Sequence, residues 1–284
     1  MADSGSPALG EFDRDTAVRL AESSESARTF TAEVSPDWRA GRGPHGGYLA
    51  AMVLRALTET VDDPARAPRS LTIHYLRAPE PGPVSIRTTI ERTGRSLSTL
   101  SARMERDGVP LALALAAFSL PWSAPEIADL PMPDVAPPDP ATETGEPHPL
   151  APPFARHLRL VHRIGSVPFT GSPEPMEFGA WLGLPYPRPI DALSLAFFSD
   201  ALLPAPFARL SEPAVSPTVD LTIHFRVALP RSADPDPEEL CFGRFGARVV
   251  HEGFFEEDGV IWAADGTVLA QSRQLALLLP VKRG

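Results

Sequence analysis

The sequence predicts an α+β chain of two tandem units, each a helix enclosed by an antiparallel sheet. Three observations lead there. Leu71-Thr-Ile-His-Tyr75 recurs as Leu221-Thr-Ile-His-Phe225, 150 residues later. Each copy follows a helix-like apolar segment and precedes strand-like runs that close on an Asp-Gly turn and a last apolar strand, so a whole unit repeats. Between the copies, eleven of the 34 prolines fall within residues 121–153, a composition that suits neither a helix nor a sheet interior. The 284 residues can hold two cores. They divide into a first domain at 1–120, a proline-rich linker at 121–153 that wraps or crosses the surface, and a second domain at 154–284.

The elements follow in order. The first unit opens with a strand near 29–36 and a helix over 46–60, where Tyr48, Leu49, Met52, Val53, Ala56 and Leu57 recur at helical spacing. Strands follow near 70–77, 84–92, 96–106 and 109–120. The second unit repeats the plan, with a strand near 176–184, a helix over 191–203, and strands near 217–227, 240–251, 254–263 and 267–279. The turn Asp107-Gly108 matches Asp265-Gly266, 158 residues on, in preference to Asp258-Gly259; the loop 230–239 absorbs the extra eight residues. The second helix is apolar almost all round, so it is enclosed rather than laid on a surface. One enclosed helix wrapped by an antiparallel sheet is the hot-dog arrangement, here a double hot-dog.

Composition excludes several classes. A net charge of −10 argues against general affinity for nucleic acid or anionic membrane. The longest apolar run, 109–120, is too short to span a bilayer. The first fifteen residues lack the basic and apolar regions of a signal peptide, and the single cysteine, Cys241, suits a reducing compartment, so a cytoplasmic location is expected. No Gly-x-Ser-x-Gly elbow, nucleotide-binding glycine pattern or metal-ligand spacing is present. No metal or organic cofactor is therefore expected.

Four places can carry chemistry. Asp200 falls inside the apolar stripe of the second helix, where a carboxylate needs a partner; the plainer reading makes it a solvated residue at the helix end before Pro204. Thr218, Asp220, Thr222 and His224 share one face of a period-two strand, opposite Val219, Leu221, Ile223 and Phe225. That polar face can equally be solvated, and His74 and His224, at equivalent repeat positions, read as structural. Gln274 lies in phase with Ala270, Ser272 and Ala276 and needs its amide satisfied; its first-half counterpart is Ala116. Gly46 and Gly47 open the first helix and expose N–H groups that suit an oxyanion, or serve only a tight turn.

Pro44-His-Gly-Gly-Tyr48, Ser199-Asp200, Thr218-Val-Asp220 and the run from Asp265-Gly266 to Gln274 together resemble the double hot-dog acyl-CoA thioesterases of the type-II, TesB-like group. The resemblance covers roughly 29–120 and 176–279. It implies hydrolysis of an acyl-CoA thioester by a water held by Asp200, Thr218 and Gln274, with Gly46 or Gly47 facing the oxyanion. It leaves open a homo-oligomer, since hot-dog units commonly pair. A binding protein without turnover, or a hydrolase of carrier-protein thioesters, stands as the alternative. Leu221 and His224 depart from the family pattern, which bears on acyl-chain specificity more than on the water site.

Overall fold

The computed structural model describes residues 10–281 except 144, 146, 148–150 and 233. Alternation of buried and exposed residues sets most of this chain into strands. The first half holds β1 (Val18–Ser23), β2 (Ala27–Val34), β3 (Arg39–Ala40), β4 (Gly43–Pro44), β5 (Ala67–Tyr75), β6 (Gly82–Thr93), β7 (Leu97–Arg106) and β8 (Val109–Ser119). The second half holds β9 (Arg159–Ile164), β10 (Glu177–Gly183), β11 (Ala214–Val215), β12 (Thr218–Phe225), β13 (Cys241–Gly246), β14 (Val250–His251), β15 (Phe254–Ala263), β16 (Val268–Leu277) and β17 (Leu279–Pro280). The helices are α1 (Glu11–Asp15), α2 (Gly46–Val61) and α3 (Ala192–Phe198).

One continuous sheet runs β1-β2-β6-β7-β8-β5-β12-β16-β15-β13-β10-β9. Read from its middle outward, each half has the same order, which is the double hot-dog. At the middle, β5 and β12 pair antiparallel, with Thr72 opposite Thr222, Leu71 opposite Ile223 and Ile73 opposite Leu221. The two threonine hydroxyls lie 3.1 Å apart. A residue that faces its own repeat image marks a local two-fold axis, so the recurring pentapeptide is itself the junction. Asp107-Gly108 turns β7 into β8 as Asp265-Gly266 turns β15 into β16, whereas Asp258 and Gly259 lie inside β15.

α2 buries most of its sixteen residues between the sheet and α3. α3 is shorter than the 191–203 that its apolar run predicts. It starts on a capping box, Asp191 accepting from the Ser194 N–H and Ser194 Oγ accepting from the Asp191 N–H. It stops at Phe198 because Pro204, within a continued helix, would clash with the Asp200 carbonyl. The N–H groups of Asp200 and Ala201 turn instead to the carbonyls three residues back. Asp200 thus sits on a turn just past α3, not within it. The predicted strand over 240–251 also divides, into β13 and β14, where the Ala247 N–H leaves the ladder for Met176 O. α1 and the two edge strands β1 and β9 are further elements that the sequence reading omits.

The described linker residues from 120 to 152 form no helix or strand. Of these, residues 130–136 lie on the outer face of the second-half sheet, where Val161, Trp181, Phe242 and Trp262 make a cross-strand row packed against Met132 and Val135. The Trp181 indole donates to Ala136 O at 2.8 Å and that of Trp262 to Leu130 O at 3.0 Å. Among the described residues no helix is long and apolar enough to cross a membrane. Replacing Trp181 and Trp262 with Phe removes both donors together with one ring of each indole. Each change should cost at least about 1 kcal/mol, and the pair should speed proteolytic nicking within 121–152; unchanged nicking would show that the two indoles do not hold the linker.

Candidate active site

The site begins where α2 points at the turn after α3. Asp200 keeps only 13% of its side chain exposed. Its Oδ2 accepts the Gly47 N–H at 2.9 Å, and the neighbouring Gly46 N–H also favours its charge. The first N–H groups of a helix have no partner within it and carry partial positive charge, which favours a partly buried carboxylate by up to about 2 kcal/mol. Only glycine permits this approach. A Cβ on Gly46 would meet Asp200 Oδ2 at 2.7 Å, and one on Gly47 would meet the Phe197 carbonyl at 2.5 Å.

The Gly47 N–H, which the sequence reading sets facing a substrate oxygen, is bonded to Asp200 in this structure. The carboxylate is the strongest acceptor within reach, and no side chain at 46 or 47 holds it off. Burial pushes the Asp200 carboxyl above its usual range, against the opposing pull of His45, the two N–H groups and Thr218.

His45 caps α2. Its Nδ1 accepts the Tyr48 N–H at 3.3 Å, so the proton sits on Nε2, which donates to the Asp200 carbonyl at 2.8 Å. Burial holds this imidazole below its usual range, against the charge of Asp200. The Tyr75 hydroxyl donates to Gly46 O at 2.7 Å and keeps its proton, because burial raises it well above the ordinary tyrosine range. Together these groups fasten the Asp200 turn and the α2 terminus to each other.

Strict alternation along β12 puts Thr218 on the face of Thr222 and His224. The structure places it on the other face. Thr218 opposes Ala276 while Asp220 opposes Leu275, so a bulge at Val219 turns the strand by one residue. Thr218 Oγ1 thereby donates to Gln274 Oε1 at 3.0 Å, within the interior. Asp200, Thr218 and Gln274 are thus brought together, and Gln274 is 6% exposed. His224 stays on the exposed outer face.

Glu257 completes the group and is missing from the sequence reading. It is 2% exposed and lies opposite Gln274 in the β15–β16 ladder. Gln274 Nε2 donates to Glu257 Oε1 at 2.9 Å, and the Ala205 N–H donates to Oε2 at 2.7 Å. Burial pushes its carboxyl up to about 7, only partly offset by those two donors. A signal existed in the sequence: reflecting Gln274 through the Asp265-Gly266 turn lands on Glu257.

The first half repeats the frame without the chemistry. Its ladder carries Leu71, Ala116 and Leu100 in the row where the second half carries Leu221, Gln274 and Glu257. The bulge recurs too, with Pro68 opposite Phe118 where Thr218 opposes Ala276. Counted from the helix caps, Leu54 stands where Asp200 does.

Gly47→Ala would gain helix propensity yet drive a Cβ into the Phe197 carbonyl. The clash should prevail and lower stability by about 1–3 kcal/mol; an unchanged Tm in thermal unfolding would contradict the close approach of α2 to α3. Glu257 makes a pH-dependent contribution. Its folded value of about 7 stands above the ordinary 4.5, so the folded state binds this proton more tightly. Stability tied to this group is full below about 4.5 and is lost as pH rises through about 7. Glu257→Gln should therefore raise Tm at pH 8 and leave it close to wild type at pH 4; equal Tm differences at both would show the carboxyl is not perturbed.

Comparison with known proteins agrees with this frame. Residues 34–119 match the acyl-CoA thioesterase N-terminal domain and residues 132–278 the acyl-CoA thioesterase C-terminal domain. An uncharacterized protein of Mycobacterium tuberculosis is 25% identical over 285 residues, covering 89% of this chain and 92% of that protein. A conserved hot-dog protein of unknown function from Alicyclobacillus acidocaldarius superposes with a TM-score of 0.84 at 26% identity, covering 96% of this chain and 100% of that one. The acyl-CoA thioesterase II TesB2 of Mycobacterium marinum shares the fold, with a TM-score of 0.71 at 20% identity over 95% of this chain and 99% of that one. The chain belongs to the acyl-CoA thioesterase family and has the double hot-dog fold.

Proposed function

We propose that this protein hydrolyses acyl-CoA thioesters by direct attack of water, with Asp200 as general base and Thr218 and Gln274 holding the water. The observation that carries this reading is the meeting of the three side chains beside the α2 N-terminus, from three separate stretches of sequence. Asp200 suits the role because burial raises its affinity for a proton, while the N–H groups of Gly46 and Gly47 keep it ionised and aimed. Water gives a proton to Asp200 as its oxygen bonds to the thioester carbon. The tetrahedral intermediate then collapses, the C–S bond breaks, and CoA leaves as thiolate. A thiolate is a good leaving group, so the reading needs neither a strong general acid nor a metal or organic cofactor. α2 contributes by holding the base, since its Gly47 N–H is occupied by Asp200.

The test is release of free thiol from a panel of acyl-CoA thioesters of increasing chain length, with Asp200→Asn beside wild type. Asn keeps the size and the N–H contact but accepts no proton at neutral pH. Turnover should fall by about 10²–10⁴-fold with the fold intact. Thr218→Ala and Gln274→Ala should lose less, and adding either to Asp200→Asn should cost little more, because groups that hold one water act as a unit. Wild-type turnover in folded Asp200→Asn would sink the mechanism. Binding of acyl-CoA without thiol release would favour a binding protein, and release from carrier-protein thioesters alone would move the substrate.

A further inference from the structure

Glu257 takes no part in the hydrolysis outlined above, yet Gln274 leans on it. A buried carboxylate is a poor way to fill this position, because its burial is opposed by lost hydration. The first half shows that the fold does not require it: Leu100 occupies the same place in the ladder, behind Ala116. The acid accompanies the polar site and is absent where the site is absent.

Its two oxygens both face groups that can donate. The Ala205 N–H can only donate, so Oε2 must accept. While Glu257 is ionised, Oε1 must accept as well, and it takes the Gln274 NH2 at 2.9 Å. That turns Gln274 Oε1 towards Thr218, whose hydroxyl proton it accepts at 3.0 Å. The lone pairs of Thr218 are then left to receive a water proton, and Asp200 is left to take the other. Remove the charge, and the order reverses. Oε2 still faces the Ala205 N–H, so the added proton sits on Oε1 and needs an acceptor. Gln274 must present its oxygen to Glu257 and its NH2 to Thr218. Thr218 then accepts from the amide and turns its own proton away from Gln274 towards Asp200, whose carboxyl feels this hydroxyl.

We propose that Glu257 is a positioning residue: its carboxylate fixes which end of the Gln274 amide faces Thr218, and loss of its charge reverses the amide and withdraws Thr218 from the water. This rests on the water site proposed for Asp200, Thr218 and Gln274. Among the described residues the charged group bearing on Glu257 is Asp200, from the turn after α3. β16 presents the Gln274 amide to it, and the 205–209 turn presents the Ala205 N–H, while Arg209 on that turn donates instead to Glu174 O. Its neighbours on β15 face elsewhere: Glu256 accepts the Arg248 N–H and Asp258 pairs with Arg273. Burial places the ionisation of Glu257 at about 7, so turnover should fall as pH drops through that value.

Glu257→Gln tests the idea because its carbonyl would accept the Ala205 N–H and its NH2 would hold Gln274 reversed at every pH. With the acyl-CoA best hydrolysed by wild type, kcat should fall about 10–100-fold, KM should stay within about twofold, and the limb of the kcat profile near pH 7 should vanish. Wild-type kcat with an unchanged limb would overturn the proposal. If Glu257→Gln does not fold, Gln274→Met decides: it keeps the acid but cannot relay its charge, so loss of the limb supports the role and persistence of the limb refutes it. Asp200→Asn, measured alongside, separates the two readings. Full turnover there removes the water site itself, whereas an inactive Asp200→Asn beside a wild-type-like Glu257→Gln removes only the role of Glu257.

Discussion

Pairing of β5 with β12 is the contact on which the remaining geometry hangs. It makes the arrays of the two halves into one sheet, through Thr72 against Thr222 and the apolar pairs on either side. Each array carries its own enclosed helix, so joining them edge to edge sets α2 against α3. The N-terminus of α2 then meets the turn that carries Asp200, and two glycines let the helix end and the carboxylate close to hydrogen-bonding distance. A helix terminus from one half thus holds an acid from the other, and the positive end of α2 offsets part of what that acid loses in hydration.

The frame is symmetric and the chemistry is not. Where the second half sets Asp200, Thr218, Gln274 and Glu257, the first half sets Leu54, Pro68, Ala116 and Leu100. All four polar groups are enclosed or half-enclosed, and each needs partners that an apolar residue does not. Keeping them on one side limits that burden to one site per chain and leaves the other half free to act as apolar support. The bulge at Val219 shows how the two meet. It is inherited by both halves, yet only in the second does the residue it turns inward bear a hydroxyl.

The strands, the α2 helix and the duplication were legible in the sequence because they rest on periodicity, which needs no knowledge of neighbours. The Asp-Gly turns were legible for the same reason, and they carry the register of the last hairpin with them. Asp200 and Gln274 stood out as polar residues among apolar ones. The face of Thr218 is not legible from alternation, since a bulge shifts phase without changing composition. The end of α3 is not legible either, because the apolar run continues to Leu203 while the Asp200 carbonyl is spent on His45. Glu257 is not distinguished by composition, because it stands between Glu256 and Asp258 and only the ladder shows which of the three acids faces inward. The edge strands β1 and β9 carry too little alternation to announce themselves; β1 is mostly exposed.

The β5–β12 seam also has a kinetic meaning. In a hot-dog pair made of separate chains, the halves meet by a bimolecular encounter and part on dilution. Here the segment from 121 to 153 tethers them and is itself fastened to the second half by two indoles. Reassembly after a local opening is therefore a first-order event, at an effective concentration on the order of millimolar for a short tether. The union of the α2 terminus with Asp200 within one chain consequently does not depend on how much of this protein is present.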